Sequence, residues 1–291
     1  MPEFDQKKAY AEQEDVFFDD GREIELLHFV YGLPDIDLIR GSPQKVLETI
    51  DLFGRTKKYL MNVGEDKGKI VTDLIAEVKP KTMVELGGYV GYSAILFGDA
   101  LRRAGGTKYH TLERNPEFGA VIMALVSLAG LSDIVTVEIG SSDESLARLH
   151  HTGDLKRIDL LFLDHYKPAY TTDLKLCEEL KLVGPGSVYA ADNVIKPGNP
   201  PYLEYVRSSV EGKRQKVKEG EQNGEVNGGG EPDSRFAARQ LAQYAKRVDK
   251  EVLGKSKGNP NLKYESTLVN SFEPTGVPDG IEITRCVSEE S

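Results

Sequence analysis

Cysteine is scarce and tryptophan is absent from this sequence, whose 291 residues include two cysteines, Cys177 and Cys286. Two cysteines cannot form a disulfide framework or a cysteine zinc site, and such low usage is typical of a reducing compartment. Long apolar runs are also missing, since the longest are strand-sized and a membrane helix needs about 20 residues. The polar N-terminus contains no apolar signal-peptide core, so we expect a cytoplasmic protein.

Basic residues are in deficit, with 37 Lys and Arg against 47 Asp and Glu and a net charge of -10. A nucleic-acid binder usually presents a basic face, so we do not expect nucleic acid as a partner. Small anionic ligands are still allowed, because local backbone dipoles can outweigh net charge. Hydrophobic residues make up 39% of the chain, which is ordinary for a globular domain. We expect a monomeric enzyme with a small-molecule substrate and no membrane partner.

The pattern along the chain predicts an α/β fold. From Thr82 onward, short runs rich in Val, Leu and Ile alternate with helical patterns, which is typical of βαβ units in a mostly parallel sheet with helices on both faces. Near the C-terminus, STLVNSF and GIEITRC flank a turn-rich segment and predict an antiparallel strand pair. Before the sheet, Ser42 and Pro43 predict a helix start, and GKIVTDLIAEV predicts a helix that ends before Pro80.

Composition also predicts the domain organisation. Residues 1–22 are acidic and weakly periodic, so we expect a loosely ordered arm, followed by a single domain over residues 23–291. Within it, residues 211–233 have almost no bulky apolar side chain and predict a disordered insert. A helix with the sequence SRFAARQLAQYAKRVDKEV should follow the insert.

Four of the predicted strands end at or near an acidic residue, namely Glu85, Glu113, Asp164 and Asp192. In a parallel sheet these carboxylates would emerge at one edge, where open α/β sheets bind ligands. Any one of them could merely cap the helix or turn that follows. Four such ends among five consecutive strands favour a binding site at this edge.

The segment ELGGYVG, residues 85–91, predicts a glycine-rich turn between a strand and a helix. Gly87 and Gly88 allow positive φ and close backbone approach, and Gly91 allows tight helix packing. Because the turn begins E-x-G-G rather than G-x-G, it alone fits a cofactor turn and a plain tight turn equally well. Glu113, at the end of the next strand, could accept hydrogen bonds from both hydroxyls of a ribose. Together they indicate an adenosine-containing cofactor.

A second constellation indicates a metal. Asp164, Asp192 and Asn193 offer oxygen ligands from two strand ends, and without cysteine or a histidine pair they favour Mg²⁺ over zinc or copper. Asp-Asn is also a common turn dipeptide. Lys167 follows Asp164 by three residues; beside a divalent cation a lysine loses its proton more readily and can act as a general base. An isolated lysine there would be an ordinary surface residue.

These motifs resemble the catechol O-methyltransferases, a family that depends on S-adenosylmethionine and Mg²⁺. The resemblance runs from about Glu23 to Ser209 and resumes near Lys263. It rests on five motifs in the family's order, MNVGEDKGKIV (61–71), ELGGYVGYSA (85–94), LERNP (112–116), LDHYK (163–167) and ADNVIKPG (191–198). It implies a Rossmann-like class I methyltransferase fold and transfer of the methyl group of S-adenosylmethionine to a hydroxyl of a Mg-chelated catechol.

The resemblance also implies roles for particular residues. The cofactor-binding set comprises Met61, Val63, Glu85, Gly87, Tyr89, Ser93, Glu113, Ser142, Asp143 and His165. The metal ligands are Asp164, Asp192 and Asn193, and Lys167 is the catalytic base. The substrate-binding set comprises Tyr59, Tyr166, Lys167, Asn193, Pro197 and Glu273, the last aligned with the family's substrate-holding glutamate once one residue before it is deleted. Tyr59 and Tyr166 stand where the animal enzymes usually carry tryptophans, which alters the expected substrate walls.

Two other functions fit part of the sequence. A related metal-dependent O-methyltransferase could act on larger phenolics or on a coenzyme-linked ester if its substrate walls differ. A nucleotide-binding oxidoreductase or a non-catalytic binding module would explain the glycine turn and Glu113. That alternative gives no role to Asp164, Lys167, Asp192 or Asn193.

Overall fold

The structure is a computed structural model that describes residues 3–14, 18–222, 235–236 and 256–291. The chain falls into two compact units. The first comprises residues 1–141 and 270–279, and the second comprises residues 142–269 and 280–291. Within the described residues, no helix is both long and apolar enough to cross a membrane.

The first unit is built on three parallel strands, β1 (Thr82–Leu86), β2 (Lys108–Glu113) and β3 (Val135–Ile139). Their order in the sheet is β3-β2-β1, and Leu86 of β1 lies opposite Leu112 of β2. Its helices are α1 (Arg22–Tyr31), α2 (Ile36–Ile39), α3 (Pro43–Thr56), α4 (Gly64–Val78), α5 (Tyr92–Arg103) and α6 (Pro116–Leu128). A short 3-10 turn at Gln6–Lys8 precedes them.

The strands of the second unit are β4 (Leu160–Leu163), β5 (Val188–Ala191) and the larger parts of β6 (Leu262–Phe272) and β7 (Pro278–Glu289). Their order is β4-β5-β7-β6, in which β4 and β5 are parallel and β5 and β7 are antiparallel. Its helices are α7 (Ser142–Thr152), α8 (Tyr170–Glu179), α9 (Pro200–Arg207) and α10 (Val210–Gln222), with short helical turns at Lys167–Ala169 and Val194–Gly198.

Local chemistry explains where the elements begin. Ser42 caps α3 as predicted, because its hydroxyl accepts from the amide of Lys45 and Pro43 fits the first turn. Helix α4 begins at Gly64, earlier than its apolar periodicity predicted, with Glu65 and Asp66 in its first turn, where carboxylates favour a helix N-terminus. The predicted alternation of strands and helices and the antiparallel C-terminal strands are confirmed.

Two segments are more ordered than the sequence predicted. The aromatic ring of Tyr10, in the predicted loose arm, is buried, and its amide donates to the carbonyl of Pro274 at 2.9 Å. Residues 211–222 of the predicted insert form all but the first residue of helix α10. The remainder of the insert and almost all of the helix predicted after it lie outside the described residues.

Candidate active site

In the second unit, the two predicted metal-ligand carboxylates follow paired strand ends. Leu163 of β4 lies opposite Ala191 of β5, and the amide of Asp192 donates to the carbonyl of Leu163 at 2.9 Å. Asp164 and Asp192 are therefore the first residues beyond two neighbouring parallel strands. The sequence predicted this placement from the position of each acid after an apolar run.

Lys167 connects these two strand ends. Its side chain is buried, and its Nζ donates to Asp164 Oδ1 at 2.9 Å and to the hydroxyl of Tyr170 at 2.8 Å. The Tyr170 hydroxyl in turn donates to the backbone carbonyl of Asp192 at 3.2 Å. The side-chain amide of Asn199 fixes the backbone of Lys167, because its Nδ2 donates to the Lys167 carbonyl at 2.7 Å. The lysine is thus held in one position rather than being a solvated surface residue.

Asn193 has a left-handed backbone with φ of 56°, which few residues other than glycine, asparagine and aspartate adopt readily. Its amide donates to Asp192 Oδ1 at 2.7 Å. The chain therefore turns sharply directly after β5, so that the predicted ligand pair belongs to one tight turn.

The chemistry of this donor set fits Mg²⁺. Two carboxylates and one amide offer hard oxygen atoms, and Mg²⁺ is usually bound by one or two carboxylates together with water or substrate. No group of three or more His, Cys, Asp or Glu side chains with metal-binding geometry occurs among the described residues. A site that counts Asn193 as its third ligand contains only two acids, and it agrees with that finding.

His165 belongs to a separate cluster of the second unit. Its Nε2 lies 2.8 Å from Asp173 Oδ2, and the hydroxyl of Ser142 donates to the same oxygen at 2.5 Å. The His165 ring stacks on Tyr170 with centroids 4.9 Å apart. Two predicted cofactor residues are therefore oriented by the buried carboxylate of Asp173. Sequence reasoning missed Asp173 and Tyr170, because both lie on a helix that read as ordinary amphipathic structure.

In the first unit, the glycine turn is sterically required. Gly87 has φ of 93°, and a Cβ on Gly88 would lie 2.5 Å from Thr111 Oγ1 and 2.8 Å from Ile122 Cδ1. A side chain at Gly88 would displace β2 or α6, so the turn allows close backbone approach there. These contacts explain why the turn requires glycine. The contact of these glycines with a cofactor stays a prediction.

Glu113 bonds to this turn. Its carboxylate accepts from the amide of Tyr89 at 2.9 Å and from the amide of Asn115 at 2.8 Å. Burial raises the pKa of Glu113, and hydrogen bonds from the amides of Asn115, Tyr89, Gly88 and Arg114 oppose that rise. These four amides already match the roughly four lone-pair sites that a carboxylate offers, so the binding of ribose hydroxyls by Glu113 stays a prediction.

Helix α1 supports two further predicted residues. The Tyr89 hydroxyl donates to Glu23 Oε1 at 2.8 Å, and Arg22 Nη1 donates to the carbonyl of Tyr59 at 2.6 Å. Glu23 and Arg22 are both buried although both are charged. Sequence reasoning did not single them out, because Tyr89 is 66 positions from Glu23.

The other predicted residues are placed as follows. In the first unit, Glu85, Ser93, Val63 and Tyr59 are buried and Met61 is half-buried. Burial, and to a lesser degree the nearby Glu85 carboxylate, raises the pKa of the Tyr109 phenol. Glu273 lies in the turn between β6 and β7, and its Oε1 accepts from Lys67 Nζ at 2.8 Å. In the second unit, Asp143, Tyr166 and Pro197 are half-buried.

Known proteins resemble this chain in sequence and in fold. The family model described as O-methyltransferase matches residues 42–210. Catechol O-methyltransferase of Bos taurus is 42% identical over 171 residues, 59% of this chain and 62% of the bovine protein, and the Mus musculus protein is 42% identical over 169 residues, 58% and 63%. The matched part thus spans less than two thirds of these relatives.

Solved structures give the fold. An O-methyltransferase from Bacillus cereus, in complex with SAH, aligns with a TM-score of 0.53 at 18% identity, covering 90% of this chain and 99% of that protein. This likeness confirms the Rossmann-like methyltransferase fold that the sequence predicted. Since the family model matches more than half of the residues, the chain belongs to the O-methyltransferase family.

Proposed function

We propose that this chain is a catechol O-methyltransferase that transfers the methyl group of S-adenosylmethionine to one hydroxyl of a catechol. The observation that carries the proposal is the network in the second unit that joins Asp164, Lys167, Tyr170 and Asp192. The catechol O-methyltransferases of Bos taurus and Mus musculus, each 42% identical in the matched part, support the catechol as substrate.

Asp164, Asp192 and Asn193 would hold Mg²⁺. When bound, this metal lowers the pKa of a hydroxyl that coordinates it. The S-adenosylmethionine supplies a sulfonium methyl group, and the protein contributes geometry and electrostatics. Glu113 would bind the ribose of this cofactor.

Lys167 would take the proton of the attacking hydroxyl on its Nζ. The Asp164 carboxylate and the Tyr170 hydroxyl fix the position of that nitrogen, and Asn199 fixes the backbone that carries it. Tyr166 and Pro197 would line the substrate ring. Well-oriented reactants gain about 7–11 kcal/mol, so positioning by these residues would account for much of the rate.

A methyl-transfer assay tests this function. Catechol and phenol are each incubated with the enzyme, labelled S-adenosylmethionine and Mg²⁺, with and without excess chelator. We expect label in catechol, none in phenol, and no transfer in chelator until Mg²⁺ is restored. Absence of transfer to any catechol, or undiminished transfer in chelator, would contradict the proposal.

A matched pair of variants sharpens the assay. Asp164 follows β4 and Asp159 precedes the same strand, where it accepts from Arg157. Asp164→Ala should abolish Mg²⁺-dependent transfer, and Asp159→Ala should leave it close to the unmodified enzyme. Equal activity in the two variants would remove Asp164 from the metal site.

A further inference from the structure

Helix α4 carries a buried lysine in its first turn. Lys67 has a fully buried side chain, and its Nζ lies 2.8 Å from Glu273 Oε1 and 3.0 Å from Asp279 Oδ2. It belongs to the MNVGEDKGKIV motif, in which only Met61 and Val63 received a predicted role. Both carboxylates are more than 200 positions away, 206 for Glu273 and 212 for Asp279, so no local pattern predicts the contact.

The two carboxylates differ in their environment. The Asp279 side chain is fully buried, whereas 17% of the Glu273 side chain is exposed. A buried ammonium is costly unless it is paired, and Lys67 satisfies this requirement with both acids. Glu273 is therefore the member of the cluster that can also reach a ligand.

The turn that carries Glu273 is fixed by its own backbone hydrogen bonds and by contact with helix α4. The amide of Glu273 donates to the carbonyl of Val277, and the amide of Gly276 donates to the carbonyl of Glu273, both at 2.8 Å. A Cβ on Gly64 would lie 2.7 Å from Pro274 Cγ, so the start of α4 packs directly against the turn. Helix α4 thus holds the turn by contact at Gly64 and the side chain of Glu273 by charge at Lys67.

We propose that Lys67 is a positioning residue, which orients the Glu273 carboxylate so that it holds one hydroxyl of the catechol. This inference rests on the proposed function and on the predicted role of Glu273 in it. A catechol presents two neighbouring hydroxyls, and the orientation of its ring determines which of them receives the methyl group. A carboxylate fixed by Lys67 would select one orientation, and a carboxylate that moves would select less well.

The test is Lys67→Met, which removes the ammonium and keeps a side chain of similar length. We expect the KM for a substituted catechol to rise roughly tenfold, the size of a lost charged hydrogen bond. The ratio of the two monomethyl products should move toward equality, and the affinity for S-adenosylmethionine, measured by calorimetry, should not change. The product ratio does not depend on how much enzyme is folded, so a purely structural role would leave it unchanged.

Lys69→Met is the matched control. Lys69 lies on the same helix, is 73% exposed and pairs with Asp73, so its replacement should change neither KM nor product ratio. Lys67→Arg keeps the positive charge and should preserve more of the product preference than Lys67→Met. If Lys67→Met does not fold, Lys67→Gln, which keeps an N–H donor, should shift the ratio in the same direction.

A double mutant shows whether Lys67 acts through Glu273. Glu273→Gln alone should shift KM and product ratio, and adding Lys67→Met to it should shift them little further. Full additivity, or an unchanged ratio and KM in the Lys67 variants, would overturn the inference. Failure of the unmodified enzyme to methylate any catechol would instead overturn the proposed function, so the two failures are distinguishable.

Discussion

At the residue scale, Lys167 shows how one side chain can be anticipated from spacing while its environment cannot. The interval of three residues after Asp164 predicted a loop lysine near the strand ends, and the bond of 2.9 Å between the two confirms their proximity. The Tyr170 hydroxyl, which also fixes Lys167, could not be assigned a role from sequence. A buried tyrosine hydroxyl usually has a hydrogen-bond partner, but the sequence does not show which group that partner is.

Replacing Lys167 by alanine separates chemistry from binding. We expect kcat to fall about 10²–10⁴-fold, the usual range for loss of a general base, with little change in the affinity for S-adenosylmethionine. The deficit should shrink as pH rises, because hydroxide can then remove the proton. Steady-state kinetics from pH 7 to 9 measures this.

Lys156→Ala is the control for this prediction, because Lys156 is an exposed lysine of the same unit. It should leave kcat unchanged. A Lys167→Ala enzyme with normal kcat and a raised KM would make Lys167 a binding residue, and proton removal would then not depend on it.

At the element scale, the N-terminal segment supports the turn that carries Glu273. The ring of Phe4 lies 5.6 Å from that of Phe272, and the Tyr10 amide bonds to Pro274. Tyr10 also donates its hydroxyl to Asp51 Oδ1 at 2.5 Å. The sequence predicted a loose arm here because these partners lie 41 to more than 260 positions away, and composition alone does not report such contacts.

Asp51 makes the stability of the folded chain pH-dependent. Burial is the main cause that raises the pKa of Asp51, to about 6, despite hydrogen bonds from Tyr10 and Tyr92. Asp51 therefore binds a proton more tightly in the folded state than in the unfolded state, so its contribution to stability is fully present at low pH and is lost as pH rises from about 4 to 6. The total is about 3 kcal/mol at 1.36 kcal/mol for each pKa unit.

Asp51→Asn tests this assignment. The amide can still accept from the Tyr10 hydroxyl but does not titrate, so its stability should lack the decrease between pH 4 and 6 that the unmodified protein shows. Urea unfolding at several pH values measures the difference between the two proteins. A constant difference across this range would show that Asp51 has an ordinary pKa in the folded state.

Features that depend on residues close together in the chain were easier to predict from the sequence than contacts between distant residues. Strand ends and the cap at Ser42 depend on neighbours in the chain and were predicted. The glycine turn was also predicted from its residues, although the atoms that exclude a side chain at Gly88 belong to the distant Thr111 and Ile122. Helix α4 was predicted too short by the turn that contains Lys67, because polar residues with acidic capping give no apolar period. Contacts such as that of Glu23 with Tyr89 arise only when the fold is complete.

At the scale of the whole molecule, the cofactor should stabilise the folded chain. A ligand at 100 times its Kd that binds only the folded state adds about 2.7 kcal/mol, which for a chain of this size raises Tm by about 4–5 °C. We expect this shift with S-adenosylmethionine and none with NAD⁺, as measured by differential scanning calorimetry. A shift with NAD⁺ alone would favour the oxidoreductase alternative.

Variants locate the source of the Tm shift. Glu113→Ala should reduce the shift at a fixed S-adenosylmethionine concentration, because about 1.5–3 kcal/mol of charged hydrogen bonding is lost. Glu117→Ala, an exposed carboxylate in the first turn of α6, should retain the full shift. Equal shifts in the two variants would place the ribose elsewhere.

The left-handed backbone at Asn193 restricts which sequences can evolve at this position. Glycine, asparagine and aspartate adopt φ near 56° with little strain, and only the last two carry a side-chain oxygen. Related sequences that keep the proposed metal site should therefore carry Asn or Asp at this position. Related sequences that carry Gly there should lack the metal site. The same residue is a poor choice for alanine scanning, because Ala adds backbone strain while it removes the proposed ligand oxygen, whereas Asn193→Gly isolates the loss of that oxygen.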